Sequence, residues 1–377
     1  MKIGILTQPL HNNYGGLLQA YALQHFLREE GHTVMTVDFS TNKRGKLSAI
    51  RSTLAGLYRR YIKRQRIPCL NTTSNSYKRL IGQNTNRFTA QYIIKTQPIY
   101  EISEFSYIKK YDFDAYIVGS DQVWRPSYSA GLDAFFLSFL DESNSKVRKI
   151  AYAASFGVDH CDEFSDYEIC KYSRLLRNFH AIGVREDSAV SLCEKKFSVK
   201  ASHVIDPTLL IDKSDYIKIV ENECAAPSAG NMMVYVLDMT EDKTKIISKV
   251  ASQKKLSPFS IMPDENSGIY PSVASWIRGF IDAEYIVTDS FHGVVFSIIF
   301  NKPFIAIGNK GRGLARFTSL LKQFNLETRL IYNFSELTEE LINSPINYIS
   351  LNATKAKLKE DAHLFLKRGL SSTEETL

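Results

Sequence analysis

In Ala283-Glu284-Tyr285-Ile286-Val287-Thr288-Asp289-Ser290-Phe291-His292-Gly293-Val294-Val295-Phe296-Ser297-Ile298-Ile299-Phe300, an apolar run, a polar turn and a second, longer apolar run follow one another without a break. That order reads as a buried strand, a short turn and a mostly apolar helix. Such a turn lies at the carboxyl edge of a parallel sheet, where open α/β folds bind ligands. The new helix aims free backbone N–H groups and its positive dipole end at the same place, which favours an anion. Asp289, Ser290 and His292 bring a base, a hydroxyl and an acid to one mouth. The same letters also suit a plain N-cap at Asp289 or Ser290 with a packed histidine. The turn by itself leaves both readings open.

Working outward, the pattern repeats. Strands are expected near 2–7, 33–38, 114–118, 148–153, 180–184 and 203–205, then near 231–237, 257–261, 284–288 and 303–307. Polar patches follow several of them: Gly119-Ser120-Asp121-Gln122, Ser155-Phe156-Gly157, Arg185-Glu186-Asp187 and Asp206-Pro207. Repetition of strand and polar turn predicts parallel, doubly wound sheets with the site along one edge. The stretch 221–230, polar and then small and turn-rich, is the candidate linker. The expected architecture is two Rossmann-like α/β domains with parallel sheets, facing across a cleft. The first spans 1–222 and carries an insertion at about 41–100; the second spans 231–350; a C-terminal helix and tail fill 351–377. An opening helix over 16–30 places Leu17, Ala20, Tyr21, Gln24 and Leu27 on or near one face and ends at Gly31.

At 377 residues with 44% hydrophobic and 23% charged, the chain has the composition of a globular protein. No apolar run reaches membrane-spanning length, and the amino terminus has no signal-peptide pattern, so a cytoplasmic protein is expected. Five scattered cysteines without CxxC spacing point to neither a disulfide framework nor a zinc site. Eight histidines without H-x-x-x-H spacing give no metal site either.

The net charge of +7 is unevenly spread: thirteen Lys and Arg and no acidic residue lie between Asp38 and Glu101. In the densest part, 43–66, Ile50, Leu54, Leu57 and Tyr61 form a stripe crowded by Arg51, Arg59, Arg60, Lys63, Arg64 and Arg66. A basic amphipathic helix there would suit an anionic membrane surface or a phosphorylated substrate. A solvated face over a core stripe is the plainer alternative. Nucleic acid is not expected, because no recognised binding module accompanies the charge.

Other constellations sit at strand ends. Asn13, Tyr14, Gly15 and Gly16 open the first helix, where adjacent glycines admit a ligand close to the backbone, or simply make a tight turn. The pattern is not G-x-G-x-x-G, so no dinucleotide is indicated. Ser120, Asp121, Gln122, Trp124 and Arg125 combine a carboxylate, an amide, an aromatic ring and a guanidinium; they suit a sugar, or a capped turn over a core tryptophan. Arg185 can grip phosphate or carboxylate bidentately, or pair internally. Arg312 and Arg316 add cations after the strand near 303–307. Ser290 lacks the G-x-S-x-G elbow of a serine hydrolase.

Taken together, these pieces resemble the polysaccharide pyruvyl transferase family. The matching segments are Asn13 to Gln24, Val118 to Trp124, Ala153 to Gly157, Val184 to Ser188, Asp206 to Leu210, Thr288 to Gly293, Lys302 to Phe304, and Arg316-Phe317. They run collinearly from residue 3 to about 325. The resemblance implies two Rossmann-like domains as in GT-B glycosyltransferases, with phosphoenolpyruvate as co-substrate, no cofactor and no metal. It also implies a sugar acceptor, a hexose such as galactose, that receives a cyclic pyruvate ketal in capsular or exopolysaccharide assembly. Many members carry Arg-x-His where this chain has Ser290-Phe291-His292. The donor anion is therefore expected to meet Arg185, Arg312 and Arg316, with Ser290 and Gly293 at the helix start. His292 is expected to protonate C3 of the donor, and Asp121 or Asp289 to take the hydroxyl proton. Asn13, Tyr14, Gly15, Gly16, Ser120, Gln122, Trp124, Arg125 and Ser155 are expected on the acceptor side. The basic stripe suggests an acceptor linked to undecaprenyl diphosphate and met at the inner membrane surface. Two rivals remain at this point: a GT-B glycosyltransferase using a nucleotide sugar, and a non-catalytic glycan-binding protein.

Overall fold

The computed structural model describes residues 1–40, 75–140, 146–308 and 313–371. Within them lie two parallel sheets flanked by helices, as expected. The first has six strands in the order β2-β1-β3-β4-β5-β6. They are β1 Lys2–Leu6, β2 Thr33–Thr36, β3 Ala115–Val118, β4 Arg148–Ala154, β5 Ala181–Val184 and β6 Ser202–His203. The second has five, in the order β11-β10-β9-β7-β8. They are β7 Met232–Tyr235, β8 Pro258–Phe259, β9 Tyr285–Thr288, β10 Phe304–Ile307 and β11 Leu330–Ile331. Neighbouring strands in both sheets pair in parallel, for instance Ile3 beside Ala115 and Met233 beside Ile286.

The apolar runs explain the sheets. β3, β7, β9 and β10 are buried at every residue, as strands covered by helices on both faces must be. The helix Phe291–Ile299 is buried along its whole length, which fits its lack of a polar face. The first helix, Tyr14–Glu29, ends before Gly31, whose φ of +83° a side chain would strain.

Both sheets reverse their winding at one place. In the first, β1 lies between β2 and β3; in the second, β7 lies between β8 and β9. The loops after β1 and β3, and after β7 and β9, therefore flank the switch points where such sheets open a crevice. Thr7 donates to the Ser120 carbonyl at 3.0 Å and Gln8 to the Gln122 carbonyl at 3.0 Å, tying the first pair of loops together.

The last helix, Tyr348–Leu370, returns to the first sheet. Gly369 lies against Ala181 and Ile150, Phe365 packs by Tyr152, and Arg148 donates to the Gly369 carbonyl at 3.0 Å. This return crossing has no signature in the chain beyond amphipathicity. The basic segment 43–66 lies outside the described residues. Among the described residues no helix is long and apolar enough to cross a membrane.

Candidate active site

A cavity of about 460 Å³ opens where the two switch points face each other. The first sheet contributes Asn12, Asn13 and Tyr14 after β1 and Asp121 and Gln122 after β3; the second contributes Leu237 after β7 and Asp289, Ser290, Phe291 and His292 after β9. The helix Leu314–Gln323 adds Arg316 and Phe317 from its first turn. Three helix N-termini thus meet the same space. At the first of them Asn13 makes no side-chain capping bond, so first-turn amides are left for solvent or a ligand. At the second, Ser290 caps through its hydroxyl, accepting from the Gly293 amide at 3.4 Å.

Behind the cavity wall sits a buried charge network. Arg185 donates to Asp206 at 3.0 Å and to Asp121 at 3.4 Å, and lies 4.0 Å from Glu186. Arg316 lies 3.7 Å from Asp121, and both guanidinium groups stand over the Phe291 ring, at 4.8 and 5.4 Å from its centroid. His292 Nε2 lies 3.6 Å from Asp206 Oδ2. On its other side the imidazole rests against the backbone of Gly15, where a Cβ would stand 1.9 Å from Nδ1. No larger residue fits at 15 without displacing the ring.

Burial and charge pull these groups apart. Burial would raise the carboxyl of Asp121, but Arg185, Arg316 and His292 together hold it below the usual carboxylate range. Burial likewise opposes ionisation of Asp206, yet His292, Arg185 and the Thr208 hydroxyl keep it well below that range. Glu186 goes the other way: burial raises it against the pull of Arg185. It accepts a hydrogen bond from the Ser155 hydroxyl, and its second oxygen has no hydrogen-bond partner among the described residues. Arg316 is brought down to about 10 by burial and then by the like charge of Arg185. A cation held at such a cost gains most from an anion in front of it.

Asp289 is fully occupied. Its carboxylate accepts from the amides of Leu237 at 2.6 Å and Asp238 at 3.2 Å and from Lys243 at 2.7 Å. It braces the loop after β7. Gly293 packs against the Thr288 hydroxyl, where a Cβ would come within 2.1 Å, and Thr288 in turn donates to the Tyr235 carbonyl. Gly16 faces the Asn13 side chain.

Several residues expected on the acceptor side stand away from the cavity. Trp124 is wholly buried, donating to the Phe135 carbonyl at 3.0 Å and stacking on Phe136. Arg125 is held by Glu163 at 2.9 Å and by Gln122. Ser120 donates inward to the Ala153 carbonyl, and Ser155 is engaged by Glu186. Their polar atoms and rings serve the loops that shape the site. Arg312 lies outside the described residues.

Sequence reasoning gave no role to Asp206, Tyr128, Tyr235, Met262, Pro263 and Tyr270. Asp206 stands at a strand end before Pro207 and opens one of the segments shared with the family, neither of which assigns it a role. The others line the cavity, and Tyr270 sits in a loop with no motif. That loop is clasped by the first half of the chain, through Tyr270 N to the Ile81 carbonyl at 2.9 Å and Asn84 to the Tyr270 carbonyl at 2.8 Å.

The sequence model described as Polysaccharide pyruvyl transferase matches residues 13–311. Among solved structures, Arabidopsis thaliana UGT89C1 complexed with UDP-L-rhamnose superposes with a TM-score of 0.53 at 10% identity, covering 98% of each chain. The UDP-GlcNAc 2-epimerase from Neisseria meningitidis bound to UDP-GlcNAc gives 0.45 at 12% identity, over 97% of this chain and 100% of that one. MurG of Acinetobacter baumannii gives 0.43 at 11%, over 97% and 99%. No curated protein matches. With its two facing parallel sheets, the fold is GT-B-like.

Proposed function

The chain belongs to the polysaccharide pyruvyl transferase family, and from that premise we propose that it moves the pyruvyl group of phosphoenolpyruvate onto two hydroxyls of one sugar. The observation that carries this reading is the convergence of Arg316 and three helix N-termini on a cavity that also holds His292. A donor with up to three negative charges needs such a set. Arg316, buried and brought down to about 10 by burial and Arg185, supports an anionic ligand more strongly than a neutral one.

In the proposed reaction His292, steadied by Asp206, gives a proton to C3 while a sugar hydroxyl oxygen bonds to C2. Phosphate then leaves C2, and a second hydroxyl of the same sugar closes the ketal. Of the two hydroxyl protons released, one replaces the proton that His292 gave up and the other leaves with phosphate. Asp121, ionised and lining the cavity, is placed to receive a hydroxyl proton in passing; Asp289, with three donors on it, serves better as a brace. Arg316 and Arg185 balance the charge that builds on the phosphate. The acceptor would lie toward Tyr128, Tyr270 and Met262, as a hexose during capsule or exopolysaccharide assembly, and a lipid-linked form would suit the basic segment 43–66.

The test is phosphate release from phosphoenolpyruvate with free, nucleotide-linked and lipid-linked hexoses, followed by mass analysis of the sugar. Acceptor-dependent release with the mass of a pyruvate ketal, lost in His292→Ala, is expected. Tight binding of UDP with no binding of phosphoenolpyruvate would replace this reading with nucleotide-sugar transfer.

A further inference from the structure

A second cavity, of about 420 Å³, lies at the far end of the helix that carries His292. Its floor is apolar: Phe26 from the first helix, Leu209 and Ile211 from the segment after Asp206, and Ile299 from the distal end of the His292 helix. All four are buried in the core yet border the space. The rim is cationic. Lys213 stands at the first position of the helix Lys213–Asn222, and Lys355 and Lys359 project from the last helix.

The charges do not cancel. Lys359 pairs with Asp212 at 3.0 Å, and His363 pairs with Glu30 at 2.8 Å. Glu360, exposed, is the other carboxylate on the lining. Lys213 and Lys355 have no carboxylate within ion-pair distance among the described residues, although Lys355 is half-buried. Burial, and then the like charge of Lys213, lowers its pKa. The helix that starts at Lys213 also turns its positive end this way. Lys213 at a helix start and Lys355 on the last helix, neither ion-paired among the described residues, stand above an apolar floor and form a complementary surface for one kind of molecule.

We propose that this cavity binds a single-chain amphiphile with an anionic head, the head between Lys213 and Lys355 and the chain on Phe26, Leu209, Ile211 and Ile299. The site lies outside the reaction cleft and does not depend on the chemistry proposed for it. Its walls nevertheless lead to that cleft, since Leu209 and Ile211 follow Asp206 and Ile299 ends the helix begun beside His292.

Calorimetric titration of the full chain with n-decyl phosphate, below its micelle-forming concentration, tests the proposal. Decanoate in a parallel titration tells a carboxylate head from a phosphate head. One molecule of either anion should bind per chain. n-Decyl maltoside, with the same chain and no charge, and inorganic phosphate, with no chain, should each bind at least about tenfold more weakly. The double variant Lys213→Met, Lys355→Met should lose at least about tenfold in affinity while keeping its melting temperature, and Arg316→Met should bind as the parent does. Undiminished binding in the double variant, equal binding of the maltoside, absence of binding by both anions, or loss in Arg316→Met would overturn it.

Discussion

Gly15 and His292, one from each half of the molecule, are in direct contact: the imidazole occupies the volume that a side chain at residue 15 would need, with Nδ1 1.9 Å from the site of a Cβ. The start of the first helix therefore sets where the histidine stands, and Asp206 faces its opposite edge, with Oδ2 3.6 Å from Nε2.

Gly15→Ala should accordingly act on chemistry before it acts on folding. The methyl group meets a side chain that can rotate away, so the fold persists with the imidazole displaced. Displacement of about 1 Å costs on the order of a hundredfold in rate. Phosphate release from phosphoenolpyruvate should fall by about that factor with a melting temperature within a few degrees of the parent. Full activity in the variant would show that the ring position is not set by this contact.

Asp206→Asn should do both. Asp206 is completely buried and takes the bond from Arg185 while facing His292. Removing one partner of a buried ion pair leaves the other uncompensated, at about 3–5 kcal/mol. Asp121 still faces Arg185 at 3.4 Å, so the lower end of that range is expected in chemical denaturation. The acid side follows from the same carboxylates. Asp121 and Asp206 are held below their unfolded values, near 3.9, so their stabilisation is complete above that pH and is lost as pH falls further. Asp206→Asn should flatten the acid limb of the stability curve; an unchanged limb would assign it to other groups.

Much of this frame was legible because parallel strands buried on both faces leave continuous apolar runs. Tyr285 to Thr288 and Phe304 to Ile307 could be read directly, and the polar residues after them fell at the sheet edge. Leu330–Ile331, two residues long, offered no run to read. Trp124 misled for a physical reason. An aromatic beside Asp121 and Arg125 looks like a sugar platform, but the ring is drawn under the loop by Phe136 and the Phe135 carbonyl. Pairings such as Asp206 with His292, or Lys243 with Asp289, join residues far apart in the chain and exist only once both sheets are in place.

Glu186 shifts in the opposite direction to its neighbours and predicts the opposite pH effect. Its folded-state pKa is raised by burial, so the folded protein holds a proton that the unfolded chain releases at about 4.3. Stability from this group is fully present below that value and declines as pH rises toward the folded pKa. Glu186→Gln copies the neutral acid and still accepts from Ser155. It should match the parent near pH 4 and exceed it in denaturation midpoint at pH 8. A deficit at both pH values would mean that the carboxylate is ionised in place.

Arg316 gives the sharpest test of what the cavity is for. Burial and the nearby Arg185 bring it down to about 10 against the pull of Asp121 and Glu186, with Asp121 3.7 Å away. An anion in the cavity relieves that repulsion, which makes binding and charge mutually supportive. Phosphoenolpyruvate should therefore raise the melting temperature of the parent, and Arg316→Met should lose at least about tenfold in affinity, the rough equivalent of one charge-assisted hydrogen bond. Asp121 loses one of the cations that hold its charge in that variant but keeps Arg185 at 3.4 Å, so the unliganded variant should melt somewhat below the parent while keeping its fold. Arg316→Lys should recover charge but not the planar grip, and fall between the two. Unchanged affinity in Arg316→Met would move the anion away from this end of the cavity and leave the helix N-termini at Asn13 and Ser290 to hold it.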